Sequence, residues 1–355
     1  MSLPFQSQQE TSPGFRPQCK ISAAADGGTG GGLLDMASSL LGAPQDDPWA
    51  NHLRRLELVL APAPFLSIAR LQLANGEEAP EVAVDDEFKV ELGFDDSLQT
   101  VFTGKVLMLG DRELDSQEIL LGCGGHALAK IRQYTSFENQ SLADILNQWA
   151  GDAELSSGNI DTGPSYPFLA IDDQRSLWEW SAWLARHAGA WVWTDADNNL
   201  NCKQPGEPGN RSYTYGSDLL SLDFSQRTSL FGGVNVSSEG SAGSQGEQAW
   251  GWLTKRSDAV SSSAGQGSAS RLYQDGSLRN QEAVQSYARS MNESAERQRT
   301  VVKVRVPGSP ELSLGKTFDL TNCPNSRGDG SYIITRMRHL FDNKGFISEL
   351  SGVAA

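Results

Sequence analysis

Hydrophobic positions recur every three or four residues in three stretches of this chain and alternate loosely in most of the rest. Leu177, Trp180, Leu184 and Ala188 share one helical face, because residues at that spacing stack on one side of a 3.6-residue turn. Asp172 or Asp173 is expected to cap this helix, and Gly189 to end it in a left-handed conformation, with His187 facing the negative end of the dipole. Trp191-Val192-Trp193-Thr194 then alternates with both tryptophans on one side, Asp195 to Asn199 turns the chain, and Leu200 to Lys203 returns it. Residues 168–205 hold five of the nine tryptophans, so the helix and hairpin are expected to pack through aromatic rings.

Two further helices follow from the same period. Ser141-Leu142-Ala143-Asp144 has the capping-box form, opening a helix with Leu142, Ile145, Leu146 and Trp149 inward and Gly151 at its end. Residues 279–299 form an amphipathic helix with Ala283 or Val284, Tyr287, Met291 and Ala295 on one side. From Trp49 strands dominate: LRRLELVLAP, EVAVDDEFKVELGF, VFTGKV and EILLGCGGHALAKI precede the helices, and residues 206–236 and 301–353 return to strands. Residues 1–47, with DGGTGGG at 26–32, read as a flexible arm, since glycine runs lose much entropy on ordering. Residues 237–270 read as a Gly/Ser-rich insertion with an apolar hook at Trp250-Gly251-Trp252.

Several of these stretches resemble one family in the same order. Around the tryptophan helix, "AxxxGAWVWxDxDNxL" is similar to the middle of the phage late control protein D family. That family includes the central baseplate hub of contractile tails and the hub half of the type VI secretion spike protein, VgrG. FTGKV resembles its "FxGxV" strand, and FENQSLADILNQWA its helix after the first barrel. Arg227, Val234 and Val236 fit its strand into the second barrel, and Gly308, Pro310, Leu312, Gly315, Gly330, Tyr332, His339 and Gly345 fit its end. The resemblance spans residues 50–353 and implies a mainly β fold: two hub-type β-barrel domains, 48–130 and 206–355, flanking a small α/β domain, 131–205.

Composition removes several functions. With 29 basic against 44 acidic residues the formal charge is −15, which argues against specific nucleic-acid binding and against docking on anionic lipid. Cys19, Cys123, Cys202 and Cys323 are far apart without a CxxC pair, and are expected to be idle thiols. No run approaches a membrane span and no secretory leader is visible. His52, His126, His187 and His339 lack a second ligand at metal spacing, Asp195-x-Asp197-x-Asn199 lacks the glycine and glutamate of a calcium loop, and the glycine runs lack the Lys-Ser/Thr that cradles phosphate. Arg327-Gly328-Asp329 reads as a polar turn. No cofactor, metal or catalytic set is therefore expected.

The resemblance implies a structural protein, not an enzyme. It would be a homotrimeric hub adapting a trimeric spike to a hexameric inner tube among other baseplate proteins, made in the cytoplasm and assembled into a virion tail or injection particle. Leu33, Leu34, Leu40, Leu41, Trp250 and Trp252 are the candidate anchors to neighbours, since apolar side chains in Gly/Ser-rich segments gain from being covered. Three copies carry three times −15, or −45, formal charges, and acids are expected to outnumber bases on the inward barrel faces. The alternatives are a β-rich glycan or peptidoglycan hydrolase, whose paired carboxylates need no local motif, and a secreted adhesin.

Overall fold

Alternation wins along most of the chain, and the molecule is mostly β. A computed structural model describes residues 16–24, 47–95, 97–112, 115–229, 231–238, 260–267 and 269–355. Twelve strands form one sheet. Its first half contains β1 (Pro17–Ala23), β2 (Leu53–Leu60), β3 (Ile68–Ala74), β4 (Glu87–Phe94), β5 (Ser97–Arg112) and β6 (Ser116–Gly122), side by side as β1-β4-β5-β6-β3-β2. α1 (Pro48–His52) precedes β2 and brings Trp49 edge-on to Phe88. Leu56, Leu58, Leu71, Leu73, Val90, Leu92, Ile119 and Leu121 point to one side and build the core of this half.

After β6 the chain leaves the sheet through α2 (Gly125–Lys130), β7 (Thr135–Ser141), α3 (Leu142–Asp152), β8 (Ser157–Ile160), β9 (Ser165–Ile171), α4 (Leu177–His187), β10 (Trp191–Thr194) and β11 (Leu200–Lys203). These pack around a second core of Leu146, Trp149, Tyr166, Trp178, Leu184 and Val192. Ser141 and Asp144 form the expected capping box on α3. The cap of α4 differs from expectation. Ser176 accepts from the Glu179 amide and Glu179 returns a bond to the Ser176 amide, while the Asp172 carboxylate is occupied by the Gln174 amide one turn earlier. A reciprocal Ser-x-x-Glu box satisfies two orphan donors where an aspartate would satisfy one. Gly189 is left-handed at φ 67°.

The chain returns to the sheet with β12 (Glu207–Thr214) and β13 (Ser221–Gln226), then, after an excursion, β17 (Thr300–Pro307), β18 (Lys316–Thr321), β19 (Gly330–Asp342) and β20 (Gly345–Ala354). Their spatial order is β12-β18-β19-β20-β17-β13. Counted along the chain within each half, both orders read first, fourth, fifth, sixth, third, second. The correspondence extends to single residues. Each fifth strand carries one extra residue opposite its sixth strand, Leu107 in β5 and Thr335 in β19. Aligned on those bulges, Leu71 matches Val304, Leu73 matches Val306 and Ile119 matches Leu350, all buried in the two cores. The halves differ at the first strand: β1 runs antiparallel to β4, whereas β12 runs parallel to β18.

The excursion holds β14 (Gly233–Ser237), β15 (Ser261–Gly265), β16 (Ser270–Gln274) and α5 (Gln281–Arg297). β14 lies between β15 and β16 in a separate three-stranded sheet, so Val234 and Val236 do not enter the second half as expected. They pack under Ala283, Val284, Tyr287 and Ala288 of α5. Part of the stretch read as an insertion loop is thus strand: pairing on both edges of β14 satisfies serine-rich backbone that pattern alone does not mark. The expected arm also needs correction. Residues 17–23 form β1, paired to β4 over its length, with Ile21 buried at 3% exposure.

Candidate assembly site

β19 is long enough to serve three neighbours. β20 lies along one edge; on the other, β18 covers Gly330–Ile333 and β2 covers Met337–Asp342. The β2–β19 ladder is the seam between the halves, antiparallel from Met337 opposite Leu60 to Asp342 opposite Arg55. On its inner face Leu58 lies opposite His339 and Leu56 opposite Phe341, with both leucines at 0% exposure. The Ser309 amide donates to the Ser348 hydroxyl at 2.9 Å, and that hydroxyl lies 2.9 Å from His339 Nδ1. Burial pushes the His339 imidazole down to about 4, so it is neutral at physiological pH.

On the solvent face an ion ladder crosses four strands. Arg305 reaches Glu349 at 3.0 Å, Glu349 reaches Arg338 at 3.0 Å, and Arg338 reaches Glu57 at 2.9 Å. The hydrogen bond from Arg338 holds the Glu57 carboxyl below its usual range, and Glu57 in turn raises the Arg338 guanidinium. Arg55 and Arg70 flank the ladder, paired to Glu57 and Glu118. Lys303, Arg336 and Asp223 share its trough. Bases are not outnumbered on this face.

Sequence reasoning missed the seam because Glu57 and Arg338 stand 281 positions apart. It also separated a second polar cluster. His187 lies in the last turn of α4 and is fully enclosed: at 0% exposure it sits with Nδ1 2.9 Å from the Tyr166 hydroxyl and Nε2 3.1 Å from the Asp275 carboxylate. Burial pushes the Asp275 carboxyl up, but His187 and the Ser277 hydroxyl and amide outweigh it and leave it lowered. Trp183 and Tyr287 pack edge-on against the imidazole, so no substrate has a path to it.

Asp195 is consumed by its own hairpin, accepting from the amides of Asp197 and Asn199. Asp329 likewise closes a turn by accepting from the Cys323 amide. Among the described residues no group of three His, Cys, Asp or Glu could hold a metal. Burial pushes the Cys19 and Cys202 thiols up to about 12, which disfavours the nucleophilic thiolate. No helix among the described residues is long and apolar enough to cross a membrane. Leu33, Leu34, Leu40, Leu41, Trp250 and Trp252 lie outside the described residues.

Free sheet edges complete the site. β13 pairs with β17 on one side and, among the described residues, with nothing on the other. β4 covers β5 only as far as Lys105, with Asp85 and Asp86 bonding the Val106 backbone. Beyond that, among the described residues, 107–112 have the β6 ladder alone.

Solved structures share this fold over most of the chain. The 43 kDa tail protein of prophage MuSo2 from Shewanella oneidensis superposes with a TM-score of 0.68 at 12% identity, covering 95% of this chain and 98% of its own. The fold is that of phage tail proteins. A tail protein from Neisseria meningitidis gives a TM-score of 0.64 at 12% identity over 85% of this chain and 92% of its own. A type VI secretion component from E. coli, described as similar to the phage T4 tail proteins gp27 and gp5, gives 0.56 at 13% identity, covering 86% and 74%. No protein-family profile and no curated protein sequence matches the chain. The tail-protein fold therefore persists here at identities where side chains have been almost wholly exchanged.

Proposed function

We propose that this chain is the structural hub of a contractile tail or related injection machine. Three copies form a ring that joins a trimeric spike to a hexameric inner tube, among other baseplate proteins. The observation that carries this reading is the doubled sheet. One chain presents two halves with the same strand order and matching bulges, so three chains offer six near-equivalent stations while keeping threefold symmetry. A tail-protein fold along nearly the whole chain supports the same reading. Its role is architectural: the buried Tyr166–His187–Asp275 cluster fixes packing between α4 and the turn before α5. The chain is made in the cytoplasm and enters a virion tail or tail-like particle by assembly. The acid-rich lumen is not supplied by the seam's solvent face, where Arg55, Arg70, Lys303, Arg305, Arg336 and Arg338 stand among the acids.

Native mass measurement of the purified chain, alone and with the spike protein encoded beside it, tests the proposal. The expected species is a homotrimer that takes up one spike trimer. A chain that stays monomeric in both conditions is not a hub.

A further inference from the structure

In the seam, the second strand of one half, β2, pairs with the latter part of the fifth strand of the other, β19. The same two elements occur once more with, among the described residues, one edge unpaired: β13 is the second strand of the later half, and residues 107–112 belong to the fifth strand of the earlier half. Resting on the hub reading above, we infer that β13 of one copy pairs antiparallel with the end of β5 of the next copy, continuing the sheet from chain to chain.

The register follows from the ladders already in place. Leu109 pairs with Ile119 as Met337 pairs with Leu350, and Leu222 pairs with Val304 as Leu56 pairs with Leu71. Transferring the seam places Leu109 opposite Gln226, Gly110 opposite Ser225, Asp111 opposite Phe224 and Arg112 opposite Asp223. Burial points the same way. Met337, Leu56 and Leu58 are at 1%, 0% and 0% exposure in the seam. Their counterparts Leu109, Leu222 and Phe224 are apolar yet only partly buried in the single chain. Leu220, beside β13, is 58% exposed, and Met108, on the open part of β5, is 45% exposed. These are the residues a second copy would cover. An unpaired edge with apolar flanks invites such pairing, and because the two edges are different surfaces, the contact is head-to-tail and closes only as a ring.

Disulfide trapping tests the register. A Cβ at Gly110 meets nothing within 4 Å and Ser225 is exposed, so Gly110→Cys and Ser225→Cys preserve the fold. In the double variant, mild oxidation is expected to give a covalent trimer on denaturing gels. Mixing the two single variants is expected to stop at a dimer. Pairing Gly110→Cys with Thr300→Cys, on the neighbouring strand, is the control and is expected to give no crosslink. A native trimer that fails to crosslink at 110 and 225, or crosslinks equally at the control pair, overturns the edge pairing and leaves the hub reading standing. Crosslinking into an open series of ever larger species keeps the pairing and overturns threefold closure. A chain monomeric at every concentration, without crosslinks, overturns both.

Discussion

His339 puts a titratable group into the inner face of the seam, and its consequence can be worked out. Its imidazole ordinarily titrates near 6.5 and in the folded chain at about 4. Between those values the unfolded chain binds a proton that the folded chain does not. The contribution is therefore whole above pH 6.5 and is lost progressively as pH falls toward 4, amounting to about 3 kcal/mol over the window. Glu57 and Asp275, both lowered, act below 4.5 and 3.8, so the interval from pH 7 to 5 belongs to His339 and to His126, whose imidazole burial also lowers. Urea midpoints of the native chain are expected to drop across that interval, and those of His339→Gln to drop much less; parallel drops would place the proton elsewhere. On the opposite face, the Glu57–Arg338 pair is partly screened by water. A double-mutant cycle with Glu57→Gln and Arg338→Met is expected to return a coupling of about 1 kcal/mol, and zero coupling would make the ladder decorative.

At the scale of elements, the capping box on α4 gives a sharp contrast. Ser176→Ala is expected to lower stability by about 1 kcal/mol, whereas Asp173→Ala should change it by only about a few tenths; comparable losses would return the cap to the aspartates. The Ser-x-x-Glu signature was present in the sequence but was overshadowed by two aspartates nearer the preceding strand. What was legible was local: the aromatic helix, the β10–β11 hairpin and the capped α3 each announce themselves through spacing within a dozen residues. The serine-rich β15 was not legible, because its strand character comes from its pairing with β14 and not from its own propensity. The doubled order was hidden for a related reason. Leu71 and Val304, or Ile119 and Leu350, share hydrophobicity and position but no motif, and the ladders that align them, Leu71 with Ile119 and Val304 with Leu350, each join strands far apart in the chain. The apolar anchors expected from sequence lie in segments outside the described residues, while the open edges of β5 and β13 belong to ordinary strands.

For the whole molecule, the first strand sets a limit on truncation. Removing residues 1–47 takes β1 away, exposing the edge of β4 and uncovering the contact of Ile21 with the first core. Such a truncation is expected to unfold at a clearly lower temperature than one that begins at residue 16 and keeps the strand; equal melting would show β1 to be dispensable. The two halves also differ in what they carry between second and third strands. In the earlier half that connection is the short loop 61–67, and in the later half it is the span 227–299 that contains α5 and its small sheet. Around the proposed ring, plain and burdened halves would alternate. A neighbour resting on the sheets would meet the same surface at every step, while one reaching out to α5 would meet it at every second step. One rim would then count as six to the tube and as three to the spike.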